Sequence, residues 1–247
     1  MLTLIFDLDG TVSDTEEVHR RAYNEAFEAE KLGWNWTPEL YGRLLAVTGG
    51  KDRIRHYVER YDAAGGPRML ARIDRIYETK TARYQALVEA GEAKLRPGVA
   101  RLVREAGAAG VRLALAASAS LPNAVSILRS GFGPSGDDLF AEIVTGEQVR
   151  RKKPAPDVYA LALERLGVDP DAAVAIEDSL NGLKAATAAG IRTVVTPSTY
   201  TRDEPFFGAL AVLSDLGEPG RPYRHIAGAG GGEAMVTLAA LDRWRKG

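Results

Sequence analysis

The sequence predicts an α/β protein, in which a Rossmann-like parallel sheet forms the core and an α-helical domain is inserted after the first strand. Three observations predict this fold. The chain opens on an apolar run of strand length, residues 2–6, which is typical of a strand buried on both faces. Residues 14–90 show helical patterns without strand-like alternation. From residues 96–98, apolar strands alternate with helices, as in a parallel sheet covered on both faces.

These patterns divide the chain into three parts. Residues 1–13 and 91–216 form the predicted α/β core, and residues 14–90 form a helical insertion. Residues 217–247 are rich in Gly, Pro and Arg, which predicts a flexible C-terminal tail with a short helix near residues 234–244.

Composition excludes several classes of protein. The 247 residues include no cysteine, which excludes disulfides, thiolate catalysis and cysteine-bound metals. The net charge of -1 gives no reason to expect nucleic acid or an anionic membrane as a partner. No apolar run approaches the ~20 residues of a membrane span, and no basic region precedes the first apolar run. We therefore expect a cytoplasmic protein with neither a nucleic-acid nor a membrane partner, and we predict a monomer.

The first strand ends in two carboxylates, Asp7 and Asp9, followed by Gly10. A strand that ends in a polar turn has the same composition, because Asp and Gly are common turn formers. Burying two like charges at a strand end is costly unless a cation compensates them, so a metal site is the other interpretation. This stretch alone leaves both interpretations open.

The helical insertion begins directly after this turn. Capping and glycine signals predict helices over about residues 15–31, 38–47, 52–61 and 67–90, with a Gly-rich break at residues 63–66. Glu16 and His19 lie three residues apart, so both project from one face near the start of the first helix. A lone His is more often structural or exposed than functional, but this helix follows the carboxylate turn at once.

A glycine pair, Gly49 and Gly50, precedes the third of these helices, with Lys51 and Arg53 beside it. Exposed backbone N–H groups and positive charge suit a phosphate. A solvated connector between two helices has the same composition, and on this stretch alone it is the simpler interpretation.

The second half of the chain predicts the remaining strands at about residues 111–117, 140–144, 172–176 and 193–196, with an edge strand at 210–213. Ser118 follows the strand at 111–117, and Glu177 and Asp178 follow the strand at 172–176. In parallel sheets the ligand binds beyond the carboxyl ends of the strands. We therefore expect these side chains to meet the Asp7–Asp9 turn at one edge. The intervening helices are predicted at about residues 99–109, 122–130, 158–166 and 180–189.

This group of side chains suits phosphoryl transfer. Acidic residues at one sheet edge, in a chain without cysteine, indicate a hard divalent cation, and Mg²⁺ prefers carboxylate oxygens and water. The Ser118 hydroxyl, the Lys153 ammonium and loop N–H groups would bind a phosphoryl group. One aspartate can attack phosphorus, and a second aspartate two residues on can protonate the leaving oxygen and then activate water.

Four segments in this order resemble the four motifs of the haloacid dehalogenase (HAD) phosphatase superfamily. They are Asp7-Leu8-Asp9-Gly10-Thr11-Val12, Ser118 after an apolar strand, Lys153-Pro154 before a helix, and Ile176-Glu177-Asp178-Ser179. The family's lysine directly precedes the proline, which favours Lys153 over its neighbour Lys152. The helical insertion is similar to the mobile cap of the subfamily that includes β-phosphoglucomutase and phosphoglycolate phosphatase.

The resemblance implies a HAD-like core and a role for each motif. Asp7 would be the nucleophile and a Mg²⁺ ligand. Asp9 would be the general acid/base, with its backbone carbonyl also touching the metal. Glu177 and Asp178 would complete the protein ligands of the metal. The phosphoryl group would be held by Ser118, Ala119 and Lys153.

Within this superfamily the chain most resembles the CbbY family of phosphatases, which is associated with carbon-fixation operons. Residues 16–22, 48–51, 118–123 and 177–182 carry this resemblance, together with Trp36 and Tyr41. The family's activity removes a phosphate from xylulose-1,5-bisphosphate, an inhibitor of Rubisco, and leaves xylulose 5-phosphate. The resemblance implies substrate contacts at Glu16, His19, Tyr41, Gly49, Gly50, Lys51, Arg53, Ser120, Asn123 and Asn181.

A phosphosugar mutase of the β-phosphoglucomutase type and a phosphoglycolate phosphatase are the alternatives. β-Phosphoglucomutase places an Arg in the cap near the glycine turn, whereas this chain has Gly49-Gly50-Lys51, which weakens the mutase interpretation. A mutase and a phosphatase share the first half-reaction. They differ in whether water or a second substrate hydroxyl takes the phosphoryl group from Asp7. A non-catalytic phosphosugar-binding protein is disfavoured, because Asp7 and Asp9 are both present.

Overall fold

The computed structural model describes residues 2–62 and 66–247. The chain forms two compact units, which we call the α/β unit (Met1–Asp14 with Lys94–Gly247) and the helical unit (Thr15–Ala93). Most of the Gly-rich break predicted at residues 63–66, namely residues 63–65, lies outside the described residues.

A seven-stranded sheet occupies the described part of the α/β unit, and this confirms the predicted fold class. The strands are β1 (Thr3–Phe6), β2 (Arg112–Ala117), β3 (Glu142–Thr145), β4 (Ala173–Glu177), β5 (Arg192–Val195), β6 (Ala211–Leu213) and β7 (His225–Gly228). Their order in the sheet is β3-β2-β1-β4-β5-β6-β7, and every pairing is parallel except that of β6 with β7. Phe6, the last residue of β1, pairs with Leu115 in β2 and with Ile176 in β4, so the carboxyl ends of these three strands lie near one another.

Helices fill the helical unit and connect the strands of the α/β unit. None of the helices in the described ranges has both the length and the apolar character needed to cross a bilayer. In chain order they are α1 (Glu16–Ala29), α2 (Pro38–Leu44), α3 (Gly50–Tyr61), α4 (Gly66–Leu70), α5 (Ile73–Glu89), α6 (Val99–Ala108), α7 (Leu121–Phe132), α8 (Asp157–Leu166), α9 (Leu180–Ala188) and α10 (Leu238–Lys246).

The core of the α/β unit packs helices against a sheet face of small and β-branched residues. Ile5, Ala114 and Ala175 on the central strands are completely buried, together with Tyr159 of α8 and Ala186 of α9. Small side chains on the strands let the helices approach closely and leave little free volume. The sheet is therefore a rigid base for the loops at its carboxyl edge.

The helical unit has an aromatic core. Trp36 is completely buried, and its ring centroid lies 4.6 Å from that of Tyr23, 4.9 Å from Phe27 and 5.3 Å from Tyr57. The Thr37 side chain accepts a hydrogen bond from the backbone N–H at the start of α2, where Pro38 opens the helix as its signals predict.

Two local predictions are corrected by the structure. The single helix expected over residues 67–90 is two helices, α4 and α5. The C-terminal segment is not a flexible tail, because it adds β7 to the sheet and ends in α10. Buried Tyr223, Val236 and Trp244 anchor it, and the Tyr223 hydroxyl donates a 2.6 Å hydrogen bond to the carbonyl of Gly230.

Candidate active site

The strand register brings two acidic strand ends together. The Asp7 backbone N–H, directly after β1, donates a 2.9 Å hydrogen bond to the carbonyl of Ile176 in β4. Glu177 is the last residue of β4, and Asp178 follows it. Because β1 and β4 are adjacent and parallel, their carboxylates emerge at the same edge of the sheet.

The carboxylates of Asp7, Glu177 and Asp178 form a buried acidic cluster. Each offers one oxygen, and these oxygens all lie within 4.8 Å of one another. Gly10 makes room for this arrangement, because its φ is +82° and a Cβ there would lie 2.3 Å from Asp178 Oδ2. A glycine is therefore required next to the cluster for both conformation and space.

Lys153 bridges two members of the acidic cluster. Its Nζ donates to Asp7 Oδ1 at 2.7 Å and to Glu177 Oε1 at 2.5 Å, and the side chain is almost completely buried. Tyr159, on α8, donates from its hydroxyl to the same Glu177 oxygen at 2.7 Å. The neighbouring Lys152 is exposed, whereas Lys153 is buried.

Burial sets the protonation behaviour of this cluster. It raises the pKa of the Asp7 carboxyl to about 7, with a further contribution from Glu177 that Lys153 opposes. Burial alone lowers the pKa of the Lys153 ammonium, but the Asp7 and Glu177 carboxylates outweigh it and raise that pKa above its ordinary value. Burial also raises the pKa of Tyr159 well above its ordinary value, so its hydroxyl stays a donor. The three carboxylates together present hard oxygen ligands of the kind that a divalent cation prefers.

Asp9 lies in the turn after β1 but outside the three-carboxylate cluster. The turn is closed by backbone hydrogen bonds from Gly10 N–H to the Ser13 carbonyl (2.8 Å) and from Val12 N–H to the Leu8 carbonyl (2.9 Å). Asp9 is partly exposed, whereas Asp7 is buried. Two carboxylates close in sequence therefore occupy different environments, as separate roles would require.

The segment after β2 holds the predicted phosphoryl-binding residues. Ser118 is exposed and Ala119 is partly exposed directly beyond the strand. Ser120 is the N-cap residue of α7, and Asn123 in that helix is buried. Among the described residues, the buried Asn123 Oδ1 has no hydrogen-bond partner. Asn181 lies in the first turn of α9 and is partly exposed.

Within the helical unit, three of the predicted substrate residues are joined in a chain of hydrogen bonds. The Tyr41 hydroxyl donates to Glu16 Oε2 at 2.8 Å, and Arg53 Nη1 donates to the Tyr41 oxygen at 3.3 Å. Burial raises the pKa of Tyr41 well above its ordinary value, and Glu16 adds to this. The Tyr41 hydroxyl therefore remains protonated at any physiological pH.

His19 and the glycine turn lie in the same unit. His19 Nδ1 is 2.8 Å from Nζ of Lys80, and its ring stacks on Tyr84 at a centroid distance of 4.0 Å. Gly50 begins α3, and a Cβ there would lie 2.3 Å from Cε2 of Tyr77, so this position needs a glycine. Lys51 is exposed, and its Nζ donates to Asp74 Oδ1 at 2.7 Å.

Sequence reasoning missed several residues of these sites. The Thr201 hydroxyl donates to the Asp178 carbonyl at 2.7 Å from a loop after β5. Tyr159 and Lys80 reach their partners from helices. Helical periodicity indicates which side of its helix each of Tyr159 and Lys80 lies on. No sequence signal indicates which polar group each side chain contacts.

The comparison with protein families agrees with the fold and the acidic cluster. A family model described as haloacid dehalogenase-like hydrolase matches residues 1–190. The chain belongs to the haloacid dehalogenase-like hydrolase family. It is an enzyme, a phosphatase of this family.

Particular relatives match over nearly the full length. A CbbY protein of Cupriavidus necator is 46% identical over 100% of this chain and 98% of its own. The crystal structure of CbbY from Rhodobacter sphaeroides in complex with phosphate is 44% identical, with a TM-score of 0.84 over 98% of this chain and 100% of that one. A mutant of that CbbY in complex with xylulose-(1,5)bisphosphate is 47% identical, with a TM-score of 0.81 over 87% of this chain and 95% of that one. Both resemblances drawn from the sequence, to the superfamily and to CbbY, are confirmed.

Proposed function

We propose that the protein hydrolyses xylulose-1,5-bisphosphate to xylulose 5-phosphate, with Mg²⁺ as cofactor and an aspartyl-phosphate as intermediate. The observation that carries this proposal is the buried cluster of Asp7, Glu177 and Asp178 with Lys153 at its side. The crystal structure of a 47% identical CbbY mutant in complex with that bisphosphate supports the choice of substrate.

Asp7 is the proposed nucleophile. One of its oxygens attacks the phosphorus of the 1-phosphate, a P–O bond to Asp7 forms, and the bond from phosphorus to the sugar oxygen breaks. Lys153, hydrogen-bonded to Asp7 at 2.7 Å, favours the ionised carboxylate and orients it.

Asp9 is the proposed general acid and base. It gives its proton to the departing sugar oxygen in the first half-reaction. In the second half-reaction Asp9 takes a proton from water while the water oxygen attacks phosphorus. The bond between phosphorus and Asp7 breaks, inorganic phosphate leaves, and both carboxyl groups return to their starting states.

The residues present fit a divalent cation. Asp7, Glu177 and Asp178 offer three oxygens within 4.8 Å of one another, and Lys153 donates hydrogen bonds to Asp7 and Glu177. These three side chains would hold Mg²⁺, with the Asp9 carbonyl that the family resemblance adds. When bound, Mg²⁺ supplies positive charge that offsets the charge of the transferring phosphoryl oxygens.

The remaining predicted residues are proposed to bind the substrate. Lys153, the Ser118 hydroxyl and the Ala119 backbone N–H would receive the oxygens of the transferring phosphoryl group. The second phosphate would bind at the start of α3, where a helix N-terminus and cationic side chains favour an anion. The substrate contacts proposed are Glu16, His19, Tyr41, Gly49, Gly50, Lys51, Arg53, Ser120, Asn123 and Asn181.

The protein is also proposed to be a cytoplasmic monomer that binds a small phosphorylated sugar. The net charge of -1 gives no reason to expect a nucleic-acid or membrane partner.

A phosphate-release screen tests the proposal. The purified protein is assayed with Mg²⁺ against xylulose-1,5-bisphosphate, phosphoglycolate and β-glucose 1-phosphate. We expect the highest kcat/KM with the pentose bisphosphate and a stoichiometric yield of inorganic phosphate. Conversion of β-glucose 1-phosphate to glucose 6-phosphate without free phosphate would instead identify a mutase, and preference for phosphoglycolate would change the substrate.

A further inference from the structure

The Arg96 guanidinium donates hydrogen bonds to backbone carbonyl groups near the acidic cluster rather than to carboxylates. Its Nη1 donates to the carbonyl oxygens of Gly10 and Thr196, both at 2.5 Å, and to the Thr196 hydroxyl at 3.1 Å. Its Nη2 donates to the carbonyls of Pro197 at 2.9 Å and Ser214 at 3.1 Å. Within residues 2–62 and 66–247, no hydrogen bond from Arg96 ends on a carboxylate.

The two carbonyls that share Nη1 belong to residues next to the proposed metal ligands. Gly10 packs against Asp178 so closely that a Cβ at residue 10 would lie 2.3 Å from Asp178 Oδ2. The Thr196 backbone N–H donates a 2.7 Å hydrogen bond to the carbonyl of Glu177. Arg96 therefore joins the turn that carries Asp7 and Asp9 to the segment that supports Glu177 and Asp178.

The Arg96 backbone is itself fixed to that turn. Its N–H donates to the Val12 carbonyl at 3.0 Å, and Leu95 is bridged to Ser13. A guanidinium presents five donors in a planar fork, so one side chain can bind four carbonyls from three segments at once. A lysine keeps the charge but cannot reproduce this geometry.

We propose that Arg96 is a positioning residue for the phosphatase reaction: through the carbonyls of Gly10 and Thr196 it fixes the spacing between the Asp7–Asp9 turn and the carboxylates of Glu177 and Asp178. This inference rests on the catalytic and metal roles given to those carboxylates under the proposed function. Arg96 touches neither substrate nor metal in this role. Its effect is on the geometry of the groups that do.

Arg101 provides a matched control. It also donates to backbone carbonyls of the α/β unit, those of Leu216 at 3.0 Å, Gly217 at 3.1 Å and Val236 at 2.8 Å. None of these carbonyls adjoins the acidic cluster. Arg96→Lys and Arg101→Lys should therefore lose comparable stability, whereas only Arg96→Lys should alter the site.

The test compares both variants with the wild type in three measurements: thermal unfolding, the Kd of Mg²⁺ by calorimetry on substrate-free protein, and kcat and KM with p-nitrophenyl phosphate. For Arg96→Lys we expect Mg²⁺ binding to weaken by about 10- to 100-fold. We expect kcat to fall by about 100-fold with little change in KM, because small displacements of reacting groups cost rate. Arg101→Lys should keep both the Kd and kcat of the wild type.

A purely structural role predicts another result. If both variants lose similar Tm while the Mg²⁺ Kd and kcat of Arg96→Lys stay within about threefold of the wild type, the proposal is wrong. If Arg96→Lys does not fold, Arg96→Gln, which keeps a planar donor, replaces it; failure of both to fold also contradicts the proposal. Turnover by Asp7→Asn would refute the nucleophilic role of Asp7. The calorimetric Kd of Mg²⁺ for Arg96→Lys would still test the positioning role of Arg96 separately.

Discussion

Gly182, in the first turn of α9, lies directly against the carboxyl group of Glu177. A Cβ atom at residue 182 would lie 1.9 Å from Glu177 Cδ and Oε2. Glu177 cannot move aside easily, because it is completely buried and accepts hydrogen bonds from Lys153 and Tyr159. The Ser179 side chain also accepts from the Gly182 N–H at 3.2 Å, which fixes this turn of the helix. The absence of a side chain at residue 182 is therefore a condition for the acidic cluster.

Gly182→Ala should damage both stability and activity. The added methyl group must displace the Glu177 carboxyl or the start of α9, and overpacking of this kind costs about 1–3 kcal/mol of the free energy of unfolding. We expect kcat to fall as well, because Glu177 is one of the proposed metal ligands. Urea unfolding and phosphate release, measured on the same preparation, check both effects.

Gly107→Ala is the control for that substitution. Gly107 lies in α6, and a Cβ there would meet no atom within 4 Å. Replacing a helical glycine by alanine without a clash stabilises a protein by about 0.4–1 kcal/mol, chiefly through the unfolded chain. Equal unfolding free energies for the two alanine variants would contradict the contact between residue 182 and Glu177.

The sheet edge could be predicted from sequence because it depends on a simple rule. Apolar runs end at Asp7 and Glu177, and parallel strands expose their carboxyl ends at one edge. The structure then adds register, with Phe6 beside Ile176, which no pattern in either strand specifies. Strand β7 was missed because it has only four residues, all exposed, between glycine-rich segments, so it shows no alternation.

Residues that support the site from helices and loops could not be predicted. Tyr159 meets Glu177 only because α8 packs on the sheet with a particular rotation about its axis. Thr201 and Arg96 act through backbone carbonyls, and a carbonyl carries no sequence signal. Tertiary packing, rather than local propensity, decides such contacts.

Asp7→Asn should abolish turnover while the fold persists. The amide has nearly the same shape as the carboxyl group but cannot attack phosphorus, so we expect kcat to fall by at least about 10⁴-fold, as for other lost nucleophiles. Circular dichroism and the Tm should show a folded protein, because removing a buried charge relieves a desolvation cost.

Asp14→Asn is the control for the nucleophile. Asp14 is an exposed carboxylate in the same unit, seven residues after Asp7. Surface substitutions change the free energy of unfolding by only about 0.5 kcal/mol or less. Its kcat should match the wild type. Residual turnover in Asp7→Asn above one per cent of wild type, after contaminating phosphatase is excluded, would remove Asp7 from the nucleophile role.

The raised pKa of Asp7 predicts how the metal-free protein responds to pH. Its folded pKa, about 7, lies above the ordinary value of 3.8, so between these values the folded state binds more protons than the unfolded state. Asp7 therefore makes the metal-free protein less stable as pH rises from 4 to 7. In EDTA, the free energy of unfolding of the wild type should fall relative to Asp7→Asn between pH 5 and pH 8.

Mg²⁺ should reverse that trend, because a cation binds the deprotonated ligands and stabilises the folded state more at higher pH. The rise in Tm on adding Mg²⁺ should be larger at pH 8 than at pH 5, and much smaller in Asp7→Asn. Parallel pH profiles for the wild type and Asp7→Asn in EDTA would show that burial of Asp7 does not control this stability.

Lys51→Ala tests whether the start of α3 binds the second phosphate. Lys51 pairs with Asp74 where both side chains are at least half exposed, and such a pair contributes only about 0–1 kcal/mol. Breaking this pair so that the ammonium can bind a phosphate therefore costs little free energy. A charge-assisted hydrogen bond to the phosphate contributes about 1.5–3 kcal/mol. We expect KM to rise by about 10- to 100-fold for xylulose-1,5-bisphosphate and to change little for p-nitrophenyl phosphate, with kcat nearly constant.

Arg55→Ala is the matched control for Lys51→Ala. Arg55 is an exposed cation on the same helix, and its ion pair is with Asp52. The substitution should leave the KM for both substrates unchanged. Equal increases in KM for the two substrates in Lys51→Ala, or equal effects of the two variants, would identify the glycine turn as a connector and move the second phosphate elsewhere.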